Sequence, residues 1–449
     1  MRSDIKDMTQ GKPISLMLSF SVPLLFANVL QLMYTMIDSL VVGRMLGVEA
    51  FAAVGATASF YWLMLSTVLG ITQGFGTIFA QRFGAKDIDG LRKAFATSII
   101  LSVVLSVSIG FTTAFGSVFI LKHLNTPPEL MEGASTFLSF LLSGLPITFA
   151  LNLLGAMLRA FGNSKTPFYA MVISTMLNIL LDFILVKPLG IAGVATATLL
   201  AQLTASIFCV FALRKTDLIK SKGLLHWDHA AAKALLSLGL PLGFRNAVIE
   251  TGGLVVQRYI NNYGTDFVAG IAAAKRMYSL LTIAAGAFEA ACATFVAQNF
   301  GAKDYRRVKR GVSSGLLMML TSSAAIMAVA LLFGRWILSL FITGEPAQIK
   351  AVLDIGVRQL NVLALGLPLL YLLFLFRSTL EGIGNAYIPM FSGFLELTMR
   401  IFSVTVLTPI WGEWGVYLSD ASGWVLAVIL LVVSYLVIFK RKLKIGVTL

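Results

Sequence analysis

Apolar runs of about twenty residues or more, separated by short polar stretches, follow one another along the whole 449-residue chain. A helix needs about 20 such residues to cross roughly 30 Å of hydrocarbon, so each run is a candidate membrane span. The pattern predicts twelve, at roughly 14–38, 50–77, 95–115, 132–158, 167–186, 190–213, 234–260, 268–297, 311–334, 351–376, 388–408 and 415–439. Backbone polar groups in lipid must be satisfied within the segment, so the expected fold is an all-α polytopic membrane protein. The most hydrophilic internal stretch, 214–233, divides the chain near its middle. The expected organisation is an N-lobe (1–213, spans 1–6), a cytoplasmic linker (214–233) and a C-lobe (234–449, spans 7–12). Leu224, Leu225 and Trp227 sit among the linker's charges. The linker therefore reads either as an interfacial amphipathic helix or as a solvated connector.

The two halves share their wording. AQRFGAKD at Ala80–Asp87 returns as AQNFGAKD at Ala297–Asp304, seven of eight letters identical and 217 residues apart. At an offset of 222, Gly144–Pro146 matches Gly366–Pro368, Gly162-Asn163 matches Gly384-Asn385, and Gly190 and Gly193 match Gly412 and Gly415. Six spans per copy give both copies one orientation, so the lobes are expected to be related by a pseudo-two-fold along the membrane normal. The repeated FGAKD reads as a scaffold turn whose glycine follows a helix end. Pro23 and Pro241 fall early in spans 1 and 7, and Pro146 and Pro368 within spans 4 and 10. These matched prolines predict matched bends.

Composition agrees: 57% of residues are hydrophobic, 12% are charged, and the mean hydropathy is +0.86. The net charge of +14 changes meaning once it is mapped. The N-terminal tail, the even-numbered connections and the C-terminal tail hold 24 of the 35 Lys and Arg. The odd-numbered connections hold only Arg44, Lys122, Lys187, Arg335 and Lys350. That asymmetry is a topology signal: both termini are expected in the cytoplasm, and nucleic acid is not an expected partner. Met1–Pro13 lacks the shape of a cleavable signal peptide, so the first span serves as the insertion signal. Cys209 and Cys292 lie in different halves, and the three histidines fall in loops. No nucleophile–base or metal cluster is legible, so an enzyme is not expected and no cofactor is implied.

Acids at membrane depth are expensive and should face protein or water. Asp38 lies in span 1, roughly 22 Å along the helix from Pro23 at 1.5 Å per residue. Asp182 lies in span 5, with Asn178 one turn before it and Ser174 continuing the stripe. Thr198, early in span 6 after a short loop, reaches a similar depth, with Thr196 as a near alternative. Two carboxylates, an amide oxygen and a hydroxyl form a hard-oxygen set, suited to a proton or a small hard cation such as sodium. In the second copy Glu396 and Arg400 are spaced i,i+4, as for an internal ion pair. Glu250 stands near Arg245 and Asn246, and Glu289 lies mid-span in span 8. Arg276 is placed to pair across helices or to snorkel. Tyr34, Phe60, Tyr61, Tyr259 and Tyr278 offer aromatic faces for organic cations.

The chain resembles the multidrug and toxic compound extrusion (MATE) family over nearly its whole length. The features that carry the resemblance are DMTQGKP before span 1, PLLFANVLQLMYTMIDSLVVGRMLG, the paired AQ.FGAKD loops, NILLDFILV followed by GIAGVATAT, and AAAKRMYSL in span 8. The resemblance implies two six-helix lobes about a V-shaped central cavity, and antiport of organic cations or other amphipathic compounds against protons or sodium. It maps a cation-coupling site onto Asp38, Asn178, Asp182 and Thr198 (a metal site if sodium is the ion) and a bend onto Pro23. Tyr34, Glu250, Tyr278 and Arg276 become substrate-cavity candidates. Glu250 matches a span-7 acid of NorM-like members, but Asp354 and Glu381 lie near helix ends and supply no convincing span-10 mate. That brings the chain closer to DinF-like members, which rely on the N-lobe. A monomer in the lipid bilayer is the expected working unit. The alternative is a flippase for a lipid-linked or polysaccharide precursor, and the remote one an intramembrane enzyme.

Overall fold

Each apolar run becomes a helix because that is how its backbone is satisfied without water. The computed structural model describes residues 5–216, 226–342 and 345–445, and the elements among them are helical. Leu224 and Leu225 lie outside the described residues. In the first half the long helices are α1 (Pro13–Leu46), α2 (Val48–Gly84), α3 (Ile88–Phe115), the broken pair α5 (Met131–Ser143) and α6 (Leu145–Ala160), α7 (Lys165–Leu189) and α8 (Ile191–Arg214), with a short α4 (Ser117–His123) after α3. The second half holds α9 (His229–Asn261), α10 (Thr265–Gly301), α11 (Tyr305–Ser339), α12 (Pro346–Gly382), α13 (Tyr387–Phe402), the short α14 (Thr408–Trp411) and α15 (Trp414–Tyr417), and α16 (Ser419–Ile445). Among the described residues, ten helical segments are long and apolar enough to span a bilayer, and the bent pair α5–α6 makes eleven. The remaining long helix, α9, has the length but carries Arg245, Asn246, Glu250, Gln257 and Arg258 in its second half.

Two compact units divide the chain. One comprises residues up to Gln10 together with Ser19–Gly243; the other comprises Gly11–Leu18 and the residues from Phe244 on. Within the first, α2 crosses the opening turns of α9 through Gly70 and Gly74 against Gly239 and Gly243. A Cβ on Gly70 would lie 2.5 Å from the Leu242 carbonyl oxygen, and one on Gly74 would lie 2.6 Å from the Gly239 Cα. Small residues at that spacing let helix backbones touch where lipid supplies no hydrophobic drive. The N-terminal tail joins the same unit: Lys6 N–H donates to the Phe161 carbonyl at 3.2 Å, and Met8 is buried. In the second unit, Met17 of α1 meets Cys292 of α10, sulfur to sulfur at 3.7 Å.

The duplicated turns have duplicated geometry. Left-handed residues pair off as Gly47 with Gly264, Lys86 with Lys303, Gly162 with Gly384 and Gly190 with Gly412. In FGAKD the left-handed residue is therefore the lysine, not the glycine expected from the motif. Gly84 and Gly301 still lie in the helix, and Asp87 and Asp304 cap the next one by accepting from Gly90 and Arg307 N–H at 2.9 Å. The matched prolines of spans 4 and 10 do not give matched bends, whereas Pro23 and Pro241 both lie inside continuous helices. At Gly144–Pro146 the helix breaks and turns by 46°, while α12 runs unbroken through Pro368, with the Trp424 ring packed on Gly366.

Candidate functional site

The site in the first unit lies at a fixed distance from three helix ends. Gly190 turns α7 into α8 with φ 59°, and Gly193 lies so close to α7 that a Cβ would stand 2.3 Å from the Leu185 carbonyl oxygen. Asp182 is eight residues before Gly190 and Thr198 eight after it, so each lies about 12 Å from the turn. Asp38 is likewise eight residues before Leu46, the last residue of α1. Equal distances from one end of the unit bring Asp38, Asp182 and Thr198 to one level. Beyond them, Val41, Val42, Val186, Val194 and Ala195 form a buried apolar cluster that closes that end.

At this level Asp182 is fully buried, Asn178 is 1% exposed and Thr198 is 7% exposed. The Asp38 and Asp182 carboxyls are close enough to share a hydrogen bond. Ionised, neither can donate. Asp38 Oδ1, both Asp182 oxygens and both Asn178 side-chain atoms are then buried with no hydrogen-bond partner. Two unit charges about 4 Å apart repel by about 4 kcal/mol at an effective dielectric near 20. A proton or a cation between the carboxylates removes that cost and satisfies the orphaned oxygens. The donor set is all oxygen apart from the amide nitrogen, and no trio of His, Cys, Asp or Glu occurs among the described residues. Oxygen ligands fit a small hard cation and suit soft metals poorly.

Tyr34, expected as a cavity aromatic, turns its hydroxyl into this cluster, 3.1 Å from Thr198 Oγ1. Thr196 bonds back to its own helix at the Ala192 carbonyl, 2.7 Å away, which leaves Thr198 as the threonine facing the acids. Ser174 is buried on the same stripe of α7. A second polar layer joins three helices: Thr148 donates to Gln202 Oε1 at 2.7 Å, and the Tyr61 hydroxyl reaches both. Thr148 and Gln202 were not among the residues singled out from sequence. Neutral polar residues on separate helices have no shared spacing that would reveal them.

The second unit fills the matching positions with fixed ion pairs. Glu396 bonds to Arg377, not to Arg400 as the i,i+4 spacing suggests, and Arg377 also donates twice to Ser392 Oγ at 3.0 Å. Arg400 instead donates to Asp420 at 2.8 Å and to the Ile249 carbonyl at 3.0 Å. A partner on a facing helix offers better geometry here than one a turn away on the same surface. Glu381, near the end of α12, is fully buried against Arg245, whose guanidinium also donates to Asn246. Glu250 is half-buried on α9, and Tyr278 stacks on Trp424 with ring centroids 6.0 Å apart. Arg276 is exposed near the start of α10, and Pro23 lies inside a continuous α1.

A single family model, MatE, matches the chain twice, at residues 23–184 and 241–405, one match in each half. The chain is 29% identical over 418 residues to a probable multidrug resistance protein, YpnP, of Bacillus subtilis, covering 92% of each. It is 24% identical over 390 residues to the probable multidrug resistance protein NorM of Thermotoga maritima, covering 85% of this chain and 82% of that one. A solved structure of a MATE protein in a bent conformation aligns with TM-score 0.90 at 21% identity, over 98% of both chains. Two copies of one helical unit, each recognised by the same model, leave one conclusion: the chain belongs to the MatE family and is a MATE-type multi-pass membrane transporter.

Proposed function

We propose that the chain exports organic cations or other amphipathic compounds by antiport against protons or sodium, with Asp38 and Asp182 as the coupling acids and Asn178 and Thr198 completing the ion's shell. One observation carries the reading: the fully buried Asp182 faces the half-buried Asp38, three of their four carboxylate oxygens are buried without a partner, and no fixed cation among the described residues is bonded to them. Asp38 stands on α1, Asp182 and Asn178 on α7, and Thr198 on α8. A bound proton or ion therefore ties three helices together, and its loss leaves like charges that drive α1 away. Pro23 lacks a backbone N–H within α1 and supplies the place where such a movement bends the helix. With the closed apolar end of the unit facing outside, as the Lys and Arg asymmetry predicts, ion entry from outside alternates with substrate loading from inside. Each net charge moved inward through 100 mV supplies about 2.3 kcal/mol, or roughly fifty-fold accumulation of a neutral compound, whereas one-for-one exchange against a monovalent organic cation is electroneutral and draws on the ion's concentration gradient.

The second unit supports this reading over a flippase with a cationic path. Arg245, Arg377 and Arg400 are each already bonded to a carboxylate. Purified protein in proteoliposomes, with pH and sodium gradients imposed separately, tests the proposal. Efflux of an organic-cation dye should follow one of the two gradients in the wild type and neither in Asp38→Asn. Full gradient-driven efflux by that variant would sink the assignment.

A further inference from the structure

A pocket of about 280 Å³ opens in the second unit between the second to fourth turns of α10 and the first two turns of α12, with Phe341 and Ile342 beside them. Its α10 wall is made of Ala269, Ala272 and Ala273, and Ile349 and Val352 of α12 face them. Only two polar side chains line it, Arg276 and Gln348. The Gln348 amide is held in place by donating to Asp266 at 3.0 Å. Arg276 has no ion pair or hydrogen bond among the described residues, unlike Arg245, Arg377 and Arg400 of the same unit.

Its depth makes that unusual. Arg276 lies about 10 Å from the midpoint of α10, within the roughly 15 Å that each leaflet of hydrocarbon occupies. A guanidinium there needs an anion or water. The first copy has a neutral residue at the matching place, because the 217-residue offset sets Arg276 opposite Ser59. The charge therefore belongs to this pocket rather than to the repeated scaffold. An apolar floor beside a single forked cation matches a phosphodiester joined to a hydrocarbon chain, with the fork on two phosphate oxygens.

We propose that this pocket binds one anionic phospholipid, its phosphate on Arg276 and its glycerol–acyl junction over the three alanines. A lipid is the occupant because the cation lies about 5 Å inside the hydrocarbon edge beside an apolar wall, where a lipid phosphate already rests above its own acyl chains and a free phosphate ion has no matching apolar contact.

Native mass spectrometry and thermal unfolding in nanodiscs of dioleoyl phosphatidylglycerol or dioleoyl phosphatidylcholine test it. The wild type should retain one phosphatidylglycerol molecule more tightly than the rest, at least tenfold by titration, and should melt several degrees higher in that lipid. Arg276→Gln should lose that molecule and the difference in melting. Ala272→Phe, at an exposed position, should do the same by filling the pocket while keeping the charge. Arg258→Gln, an exposed arginine on α9, should change neither. Glycerol 1-phosphate should not displace the lipid; displacement at equal concentration would show a free-anion site and overturn the proposal. Unchanged retention in Arg276→Gln and Ala272→Phe would overturn it as well. None of these readouts depends on efflux, so failure here is separable from failure of the coupling site.

Discussion

At matching positions the two units solve the problem of buried polarity in opposite ways. In the first, Asn178 of α7 and Thr198 of α8 flank a carboxylate pair with no fixed counter-charge among the described residues. In the second, the same register places Arg400 and Asp420, which bond to each other at 2.8 Å, and Val404 stands where Asp182 would be. The guanidinium is a cation built into the chain. A unit carrying its own counter-ion is satisfied at all times, whereas on the proposed reading a unit lacking one is satisfied only when an ion visits. The difference teaches that a duplicated fold can keep one copy as a fixed frame and make the other conditional on its surroundings.

The largest effect that would break this contrast comes from supplying the missing cation. Asn178→Arg with Thr198→Asp moves the second unit's pair into the first. Gradient-driven efflux should fall to background and thermal stability should stop responding to sodium or pH; retained coupled efflux would refute the idea. Next is the reverse intrusion. Arg377→Met leaves Glu396 buried without its partner and should destabilise by about 3–5 kcal/mol in chemical unfolding, with Arg377→Met/Glu396→Met recovering most of the loss. Coupled efflux should survive in that double variant, because the pair belongs to the frame. A smaller effect is expected from Tyr34→Phe, which removes a single hydrogen bond worth about 1 kcal/mol and should shift the ion concentration for half-maximal efflux roughly five-fold. A shift as large as that of Asp38→Asn would make Tyr34 itself a coupling group.

The smallest expected difference lies in the repeated loops. The Gly90 backbone N–H, helped by Arg82, holds the Asp87 carboxyl below its usual range. Asp304 makes the same cap, but its copy has Asn299 where Arg82 stands. Asp87→Ala should cost about 1 kcal/mol near neutral pH, and Asp304→Ala somewhat less. Because the folded carboxyl is the stronger acid, its contribution is full above about pH 4 and fades as pH falls through the lowered value. Urea titrations at pH 7 and pH 3.5 should therefore show the Asp87→Ala deficit shrinking with acid.

Much of this was legible in the sequence, and the exceptions have physical reasons. Span lengths and the repeat fix the helices, because hydrocarbon thickness and backbone satisfaction leave little choice. Asp38, Asn178, Asp182 and Thr198 could be grouped because helix spacing and the short Gly190 turn set their depths. Partners across helices were not legible. Glu396 is drawn to Arg377 of α12, and Thr148, Gln202 and Tyr61 meet from three separate helices. The apolar run of span 10 ends at residue 376 and leaves Arg377 at its edge, yet Arg377 is 4% exposed inside α12, its charge hidden by Glu396. The break at Gly144 and its absence at Gly366 share one GLP signal, so neighbours such as Trp424, not the motif, separate the two.

The glycine crossing of α2 with the opening turns of α9 has a consequence for how the protein is made. Gly70 and Gly74 leave the ribosome long before Gly239 and Gly243, and until those arrive the α2 surface has no backbone to close against. The first unit also waits for its second helix pair before the tail can dock, since Lys6 bonds to Phe161. Synthesis therefore passes the end of the first repeat before that repeat is complete. A fragment ending at residue 213 would be a half-clasped intermediate rather than a free-standing ancestor, and a fragment extended through α9 to Asn261 should resist proteolysis better than one cut in the linker.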